Sequence, residues 1–537
     1  MRRSGYWVST LLLLVVAACA RQVTDPTATA PNPTSAPTLQ PAATPTRPAE
    51  TATAPPVETG APAAFPTPEV DFNDLSLQQA AMRPEFAADV AAVAEAGASR
   101  YFIDVALDPA PAGGPQIEGV VRVRYTNTEA EPLEAVYFRL YPNLPALGGE
   151  MIVEGVMVDG APVETSLESQ DSALRVPLPQ PLPPGQVADI SLRYRTTVPT
   201  DTSAGYGVYV YFDGVFALAG FYPAIAVYDD EGWNIEVAPP WGDVTYLDTS
   251  LYHLRFTLPD DQVVVTSGSM VARVDNGDGT RTIEAVSGPM RDFYLAMSPD
   301  YAVLSETVDG VTVSSYYLPG HEVGARQALQ VSVDSLRLFN DRFGTYPYAE
   351  LDVAATPTTA GGVEYPGVIV IAGGLYADGG NFFKHVAAHE VAHQWWYGLV
   401  GNDQVDDPWL DEALTNYSAY LYWQEFESEE AAALVRGSLF DRAYAAAQSS
   451  DRDRGVAGPV ASFNGETYGL IVYGKGPLYF DALRGQVGDE LFFAILQAYF
   501  ARFRYGVATP EGWQEVVAEV AGEPESELYD FWILGRE

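Results

Sequence analysis

His389, Glu390 and His393 spell HEVAH, and Glu412 follows His393 after eighteen intervening residues. Histidines four apart on a helix face the same way, with Cβ atoms about 5–6 Å apart, close enough for both imidazoles to hold one zinc ion at about 2.0–2.1 Å. A catalytic zinc site adds a third protein ligand, commonly a carboxylate, and leaves the fourth position to water. Glu412 suits that third place. Asp407-Pro408 reads as a helix N-cap followed by the first helical residue. Leu410, Leu414, Tyr417 and Leu421 then recur at helical spacing, which leaves Glu412 and Asn416 on the side that can face HEVAH. One zinc per chain is expected. Such an ion lowers the pKa of its water toward about 7, and Glu390, beside a ligand but pointing off the metal axis, is the expected general base.

Only five histidines occur in the chain, and His385, His389 and His393 fall within nine residues, so the cluster is not a chance string. His385 cannot be the third ligand, because it stands about 12 Å from His393 along a straight helix at 1.5 Å per residue. A packing or hydrogen-bonding role is expected for it. His253 and His321 lie far off in a strand-like and a loop-like stretch and receive no role.

Upstream stands Gly361-Gly362-Val363-Glu364-Tyr365-Pro366-Gly367 and downstream Tyr473-Gly474-Lys475-Gly476. With His393-Gln394-Trp395, Trp409-Leu410-Asp411-Glu412 and the run from Phe343 through Gly344, Thr345, Tyr346 and Pro347 to Tyr348, these resemble the gluzincin zinc aminopeptidases of the aminopeptidase N family over roughly residue 99 to the end of the chain. The resemblance implies that Glu364, on the family's GxMEN loop with Gly361 and Gly362, binds the free α-amino group of a peptide. It also implies that Tyr473 donates its phenol hydrogen to the tetrahedral intermediate, with Tyr468 as a further residue lining the site. A preorganised oxyanion donor is worth about 2.7–4 kcal/mol, and tyrosine remains a neutral donor below its pKa of about 10. The two lysines, Lys384 and Lys475, against 27 arginines, both stand beside the proposed site, a further hint at a role there.

Three departures from the family pattern stand out. Val363 and Tyr365 replace the methionine and asparagine of GxMEN, which reshapes the first specificity pocket. The segment that bears a glutamine in many relatives has no clear match near Ala219-Gly220-Phe221-Tyr222-Pro223, so Glu364 is expected to hold the amine alone. The family's large C-terminal helical domain is expected to be absent, with Phe531-Trp532-Ile533-Leu534-Gly535 closing the catalytic domain.

Arg2 and Arg3 precede an apolar run over 11–18 that is too short to span a bilayer and has the form of a secretion signal. Val16-Ala17-Ala18-Cys19 resembles a lipobox, in which Cys19 is lipidated and becomes the mature N-terminus. It is the only cysteine, so no disulfide pair is available. Residues 19–70, rich in Thr, Ala and Pro, bury too little apolar surface to fold and are expected to be a tether. The chain is thus expected to be exported and lipid-anchored on the extracytoplasmic face of a bacterial membrane, touching the membrane through that anchor only.

The remaining chain divides by period. Residues 71–98 read as a short helical segment, 99–302 as an all-β, sandwich-like domain of short strands between turn residues, and 303–537 as a thermolysin-like α/β, mostly helical zinc peptidase domain. The first long helix is expected over 323–343. A formal net charge of −42 excludes nucleic acid as a partner, since binding needs a basic face, and fits a solvated surface on an exported monomer. The expected activity is removal of N-terminal residues from peptides by attack of zinc-activated water. An endopeptidase or other metallohydrolase with an open cleft is the neighbouring reading, and a non-catalytic peptide-binding lipoprotein is the reading from another class. Retention of the ligands, the base and the tyrosine together favours an enzyme.

Overall fold

The computed structural model describes residues 70–536 apart from 112, 378 and 523–525. The signal at 1–18, Cys19 and nearly all of the 19–70 tether therefore lie outside the described residues. Two short helices, Ser76–Ala80 and Ala87–Glu95, open the described chain. Val90 and Ala94 of the second are buried against the β domain.

An eight-stranded sheet dominates the N-terminal half. Its centre pairs Arg100–Asp108 with Gln116–Thr126 antiparallel and with Leu251–Pro259 parallel. Strict alternation drives this packing: Ile117, Val121, Val123 and Tyr125 point inward from one strand while the glutamate and arginines between them face out. Register then stacks Tyr101 on Tyr252, ring centroids 4.9 Å apart, and Tyr222 meets both edge-on. Two four-stranded sheets and one two-stranded sheet complete the domain, so the β-sandwich expectation holds.

Ala302–Val308 begins a five-stranded mixed sheet that belongs to the second domain, continued by Val311–Tyr317, Glu350–Thr356, Val368–Ala372 and the edge strand Gly362–Tyr365. Helix Glu322–Arg342 fulfils the expected first long helix and packs on the buried helix Gly380–Ala392, which in turn packs on Glu412–Phe426. Arg291 ties the two halves together. Its guanidinium is buried and donates to the carbonyls of Leu247, Tyr397 (2.9 Å) and Gly506, the last two in the helical domain.

Helix Glu412–Phe426 begins differently from the sequence expectation. Asp411, not Asp407, is the N-cap, its carboxylate accepting from the Glu412 N–H at 2.9 Å, while Asp407-Pro408 lies in the preceding turns. The Asp407 N–H bonds back to the Asp403 carbonyl at 2.8 Å, so its backbone is already committed to a turn.

Candidate active site

Residues Val386 to Ala392 are buried on every side of the HEVAH helix, so the two histidines cannot rotate away from the Glu412 helix packed against them. His393 caps the helix end. The Nε2 atoms of His389 and His393 lie 3.1 Å apart, and Oε2 of Glu412 is 3.2 Å from the first and 3.5 Å from the second. These three atoms fall within the span that one ion could bridge. Oε2 of Glu412 is buried and makes no aligned hydrogen bond, and a cation would satisfy it. The His393 Nδ1 faces the Trp396 carbonyl at 3.0 Å, so donating that hydrogen presents Nε2 as the free lone pair, as a ligating histidine requires. Two imidazoles and a carboxylate meet the donor preferences of catalytic zinc, and the residues fit one ion.

His385 stays out of the ligand set. Its Nε2 lies 2.8 Å from Oδ1 of Asn416, and burial first, then His389, pushes its pKa down to about 4, so it is a neutral donor. Asn416 passes the link on, donating to the carbonyl of Tyr473 at 2.7 Å. The Tyr473 hydroxyl donates to Oε1 of Glu412, and its ring lies 6.0 Å from that of His389.

Glu390 is 5 % exposed, and its carboxylate leans on the edge strand carrying Glu364. A Cβ at Gly362 would stand 2.4 Å from Oε1 of Glu390, so the glycine is required by the base rather than by a turn. Burial, and after it the charge of Glu364, raises Glu390 well above the ordinary carboxylate range. Gly361 packs more loosely, its Cβ position 3.3 Å from Val386.

Glu364 is held from behind by Gln404, which donates to its Oε1 at 3.2 Å and to Oδ2 of Asp411 at 2.7 Å. Gln394 fixes the same hairpin, donating to the Tyr365 carbonyl and accepting from the Gly367 N–H at 2.8 Å. Tyr365 stacks on Tyr294 of the β domain at 3.8 Å. Gln404 escaped the sequence reading because it stands in a turn with no periodic or motif neighbour, and only the fold brings it to Glu364.

A cavity of about 1070 Å³ joins these groups: Gly361, Gly362, Glu364, His389, Glu390, His393, Glu412 and Tyr473 all line it. Tyr468 does not. It is fully buried behind Tyr473, ring centroids 5.7 Å apart and edge-on, and braces that phenol instead of contacting the cavity. The lysines are corrected as well: Lys384 pairs with Glu427, and Lys475 is buried against Asp453 and the Arg454 carbonyl at 2.7 Å, so both point away from the site.

The β domain supplies one wall through residues 241–245. Trp241 donates its indole N–H to the Val460 carbonyl at 3.3 Å, Thr245 meets Gln404 at 3.1 Å, and Asp243 between them faces the cavity. Ala219 and Gly220 also border it, but Phe221 and Tyr222 turn into the core. Beyond this wall Tyr397 is held at φ 96°, a left-handed conformation costly for a side chain that branches to a ring. The Arg291 bond to its carbonyl and its own N–H bond to Val400 at 2.8 Å hold it there.

Residues 327–532 match the peptidase family M1 domain. The chain is 26 % identical over 351 residues to aminopeptidase M1-B of Oryza sativa subsp. japonica, covering 59 % of this chain and 38 % of that relative. It is 27 % identical over 252 residues to aminopeptidase N of Lactococcus lactis subsp. cremoris, covering 42 % of this chain and 29 % of the relative. The chain thus spans well under half the length of these relatives. Among solved structures, the M1 zinc metallopeptidase of Deinococcus radiodurans shares the fold at TM-score 0.61 and 20 % identity, covering 82 % of this chain and 94 % of that one. A variant of it bound to Tyr-Ser-Ala aligns with TM-score 0.60 over the same shares.

Proposed function

We propose, from the match of residues 327–532 to the peptidase family M1 domain, that this chain is a zinc-dependent aminopeptidase that removes N-terminal residues from peptides. The observation that carries this reading is convergence: the histidine and glutamate trio, Glu390, Tyr473 and Glu364 all face one cavity. His389, His393 and Glu412 would hold the ion. Zinc supplies Lewis acidity, which polarises a carbonyl and makes water a nucleophile near neutral pH.

The chain's own groups do the rest. Glu364, braced by Gln404, accepts the substrate ammonium and so sets the first peptide bond at the metal end of the cavity. Glu390 takes the proton of the attacking water on its carboxylate and delivers it to the departing amine nitrogen. Tyr473 donates its phenol hydrogen to the oxygen that gains charge. Its hydroxyl, now on Glu412, is already at the metal end.

We place the enzyme, as the sequence suggests, on the outer face of a bacterial membrane as a monomer tethered through Cys19. Mass spectrometry of the mature N-terminus checks this, and a mature chain lacking Cys19 would refute it. The catalytic reading is tested with aminoacyl fluorogenic substrates and peptides, with and without N-terminal acetylation. Free-amine substrates are expected to be cut at least about a hundredfold faster, because acetylation strands a buried carboxylate. Equal rates would replace the aminopeptidase by an open-cleft endopeptidase.

A further inference from the structure

Six carboxylates face the cavity: Asp243 and Asp292 from the β domain, and Glu364, Glu390, Glu412 and Glu466 from the helical domain. Among the described residues that line it, none is lysine or arginine. The proposed chemistry uses Glu364, Glu390 and Glu412. Asp292 is satisfied internally by the Phe293 N–H at 2.6 Å and the Tyr222 hydroxyl at 3.1 Å, and Glu466 pairs outward with Arg452.

Asp243 has neither explanation. It is pinned in place by its neighbours, Trp241 on the Val460 carbonyl and Thr245 on Gln404, and its carboxyl faces the cavity with Glu364 and Glu412. A partly buried carboxylate set against two others serves a ligand that brings positive charge and opposes one that brings negative charge. Arg452 answers Glu466, but among the described residues lining the cavity no cationic side chain answers Asp243.

Resting on the aminopeptidase reading, we propose that this cavity rejects a free carboxylate on the second residue of the substrate. The enzyme then acts on peptides whose C-terminus lies further along the chain or is amidated, with Asp243 as a specificity-determining residue. The geometry of a dipeptide makes this unavoidable. Consecutive Cα atoms are about 3.8 Å apart, so a carboxylate on the second residue enters the cavity together with the scissile bond. There it loses water, meets no cationic side chain and faces like charges. A longer peptide carries its carboxylate out past the rim.

Binding to the zinc-loaded Glu390→Gln protein, measured by calorimetry, tests this without turnover. The probes are leucyl-alanine, leucyl-alanine amide and a leucyl-alanyl tetrapeptide. The amide and the tetrapeptide are expected to bind at least tenfold tighter than the dipeptide acid in 0.15 M salt. The gap should persist in 0.5 M salt, where screening over less than about 8 Å removes the general surface charge but not a contact inside the cavity. Adding Asp243→Asn should narrow the gap at least threefold at unchanged zinc content, and Asp243→Glu should restore it. Equal affinities, a gap that vanishes with salt, or a gap indifferent to Asp243→Asn would each overturn the proposal. Failure of all three probes to bind, with no cleavage by the wild type, would instead overturn the aminopeptidase reading beneath it.

Discussion

The two walls of the cavity were built in different ways. On the metal side, His389, Glu390, His393 and Glu412 come from 24 consecutive residues, and two packed helices suffice to bring them together. On the amine side, Asp243, Glu364 and Gln404 come from a β-domain strap, a sheet edge and a turn, joined through Thr245 at 3.1 Å and Gln404 at 3.2 Å. The first arrangement is set by helix period. The second depends on how two domains dock. Chemistry is therefore local in this molecule, and recognition is collective.

If that division is right, substitutions on the metal side should abolish the reaction and those on the amine side should redirect it. His393→Ala should lose zinc and all measurable turnover, read by elemental analysis and by rate; one zinc per chain retained in this variant would break the ligand assignment. Glu390→Gln should lower kcat by about 10²–10⁴ with zinc still bound, the usual range for one acid–base group. Tyr473→Phe should lower kcat by about 10²–10³ with little change in KM, the pattern of a donor used mainly in the transition state. Wild-type kcat in that variant would remove the phenol from the mechanism. Smallest in scope, Glu364→Ala should slow free-amine peptides by about a hundredfold and leave acetylated ones where they were, so that the selectivity ratio collapses while the slow basal rate stays. Loss of both classes alike would show that Glu364 merely braces the loop, and the contrast between the walls would fall.

The same division explains what could be read from the sequence. HEVAH and Glu412 were legible because spacing aims them, the GGVEY loop only through its resemblance to a family motif, and alternation in 116–126 was enough to call its sheet. The helix start was misjudged by four residues because Asp407-Pro408 carries the composition of a cap, while Asp411 carries its geometry through the bond to the Glu412 N–H. Tyr468 was assigned to the cavity from its nearness to Tyr473, but the turn between them puts it behind that ring. The lysines were drawn to the site by sequence distance and are held off it by Glu427 and Asp453. Asp243 and Gln404 gave no signal, since an acid or an amide between turn residues gains a role only from what docks against it.

Arg291 carries a consequence for how the molecule comes into being. Its guanidinium cannot shed its charge, and the acceptors that justify sealing it from water, at Tyr397 and Gly506, lie more than one hundred residues further along the chain. A nascent β domain must wait with that charge exposed or loosely hydrated, because burial without those carbonyls costs too much. Closing this seam both buries the guanidinium and brings residues 241–245 over the cavity. The helical half alone holds the metal ligands, Glu390, Glu364 and Tyr473, but without that seam it lacks the wall that residues 241–245 supply.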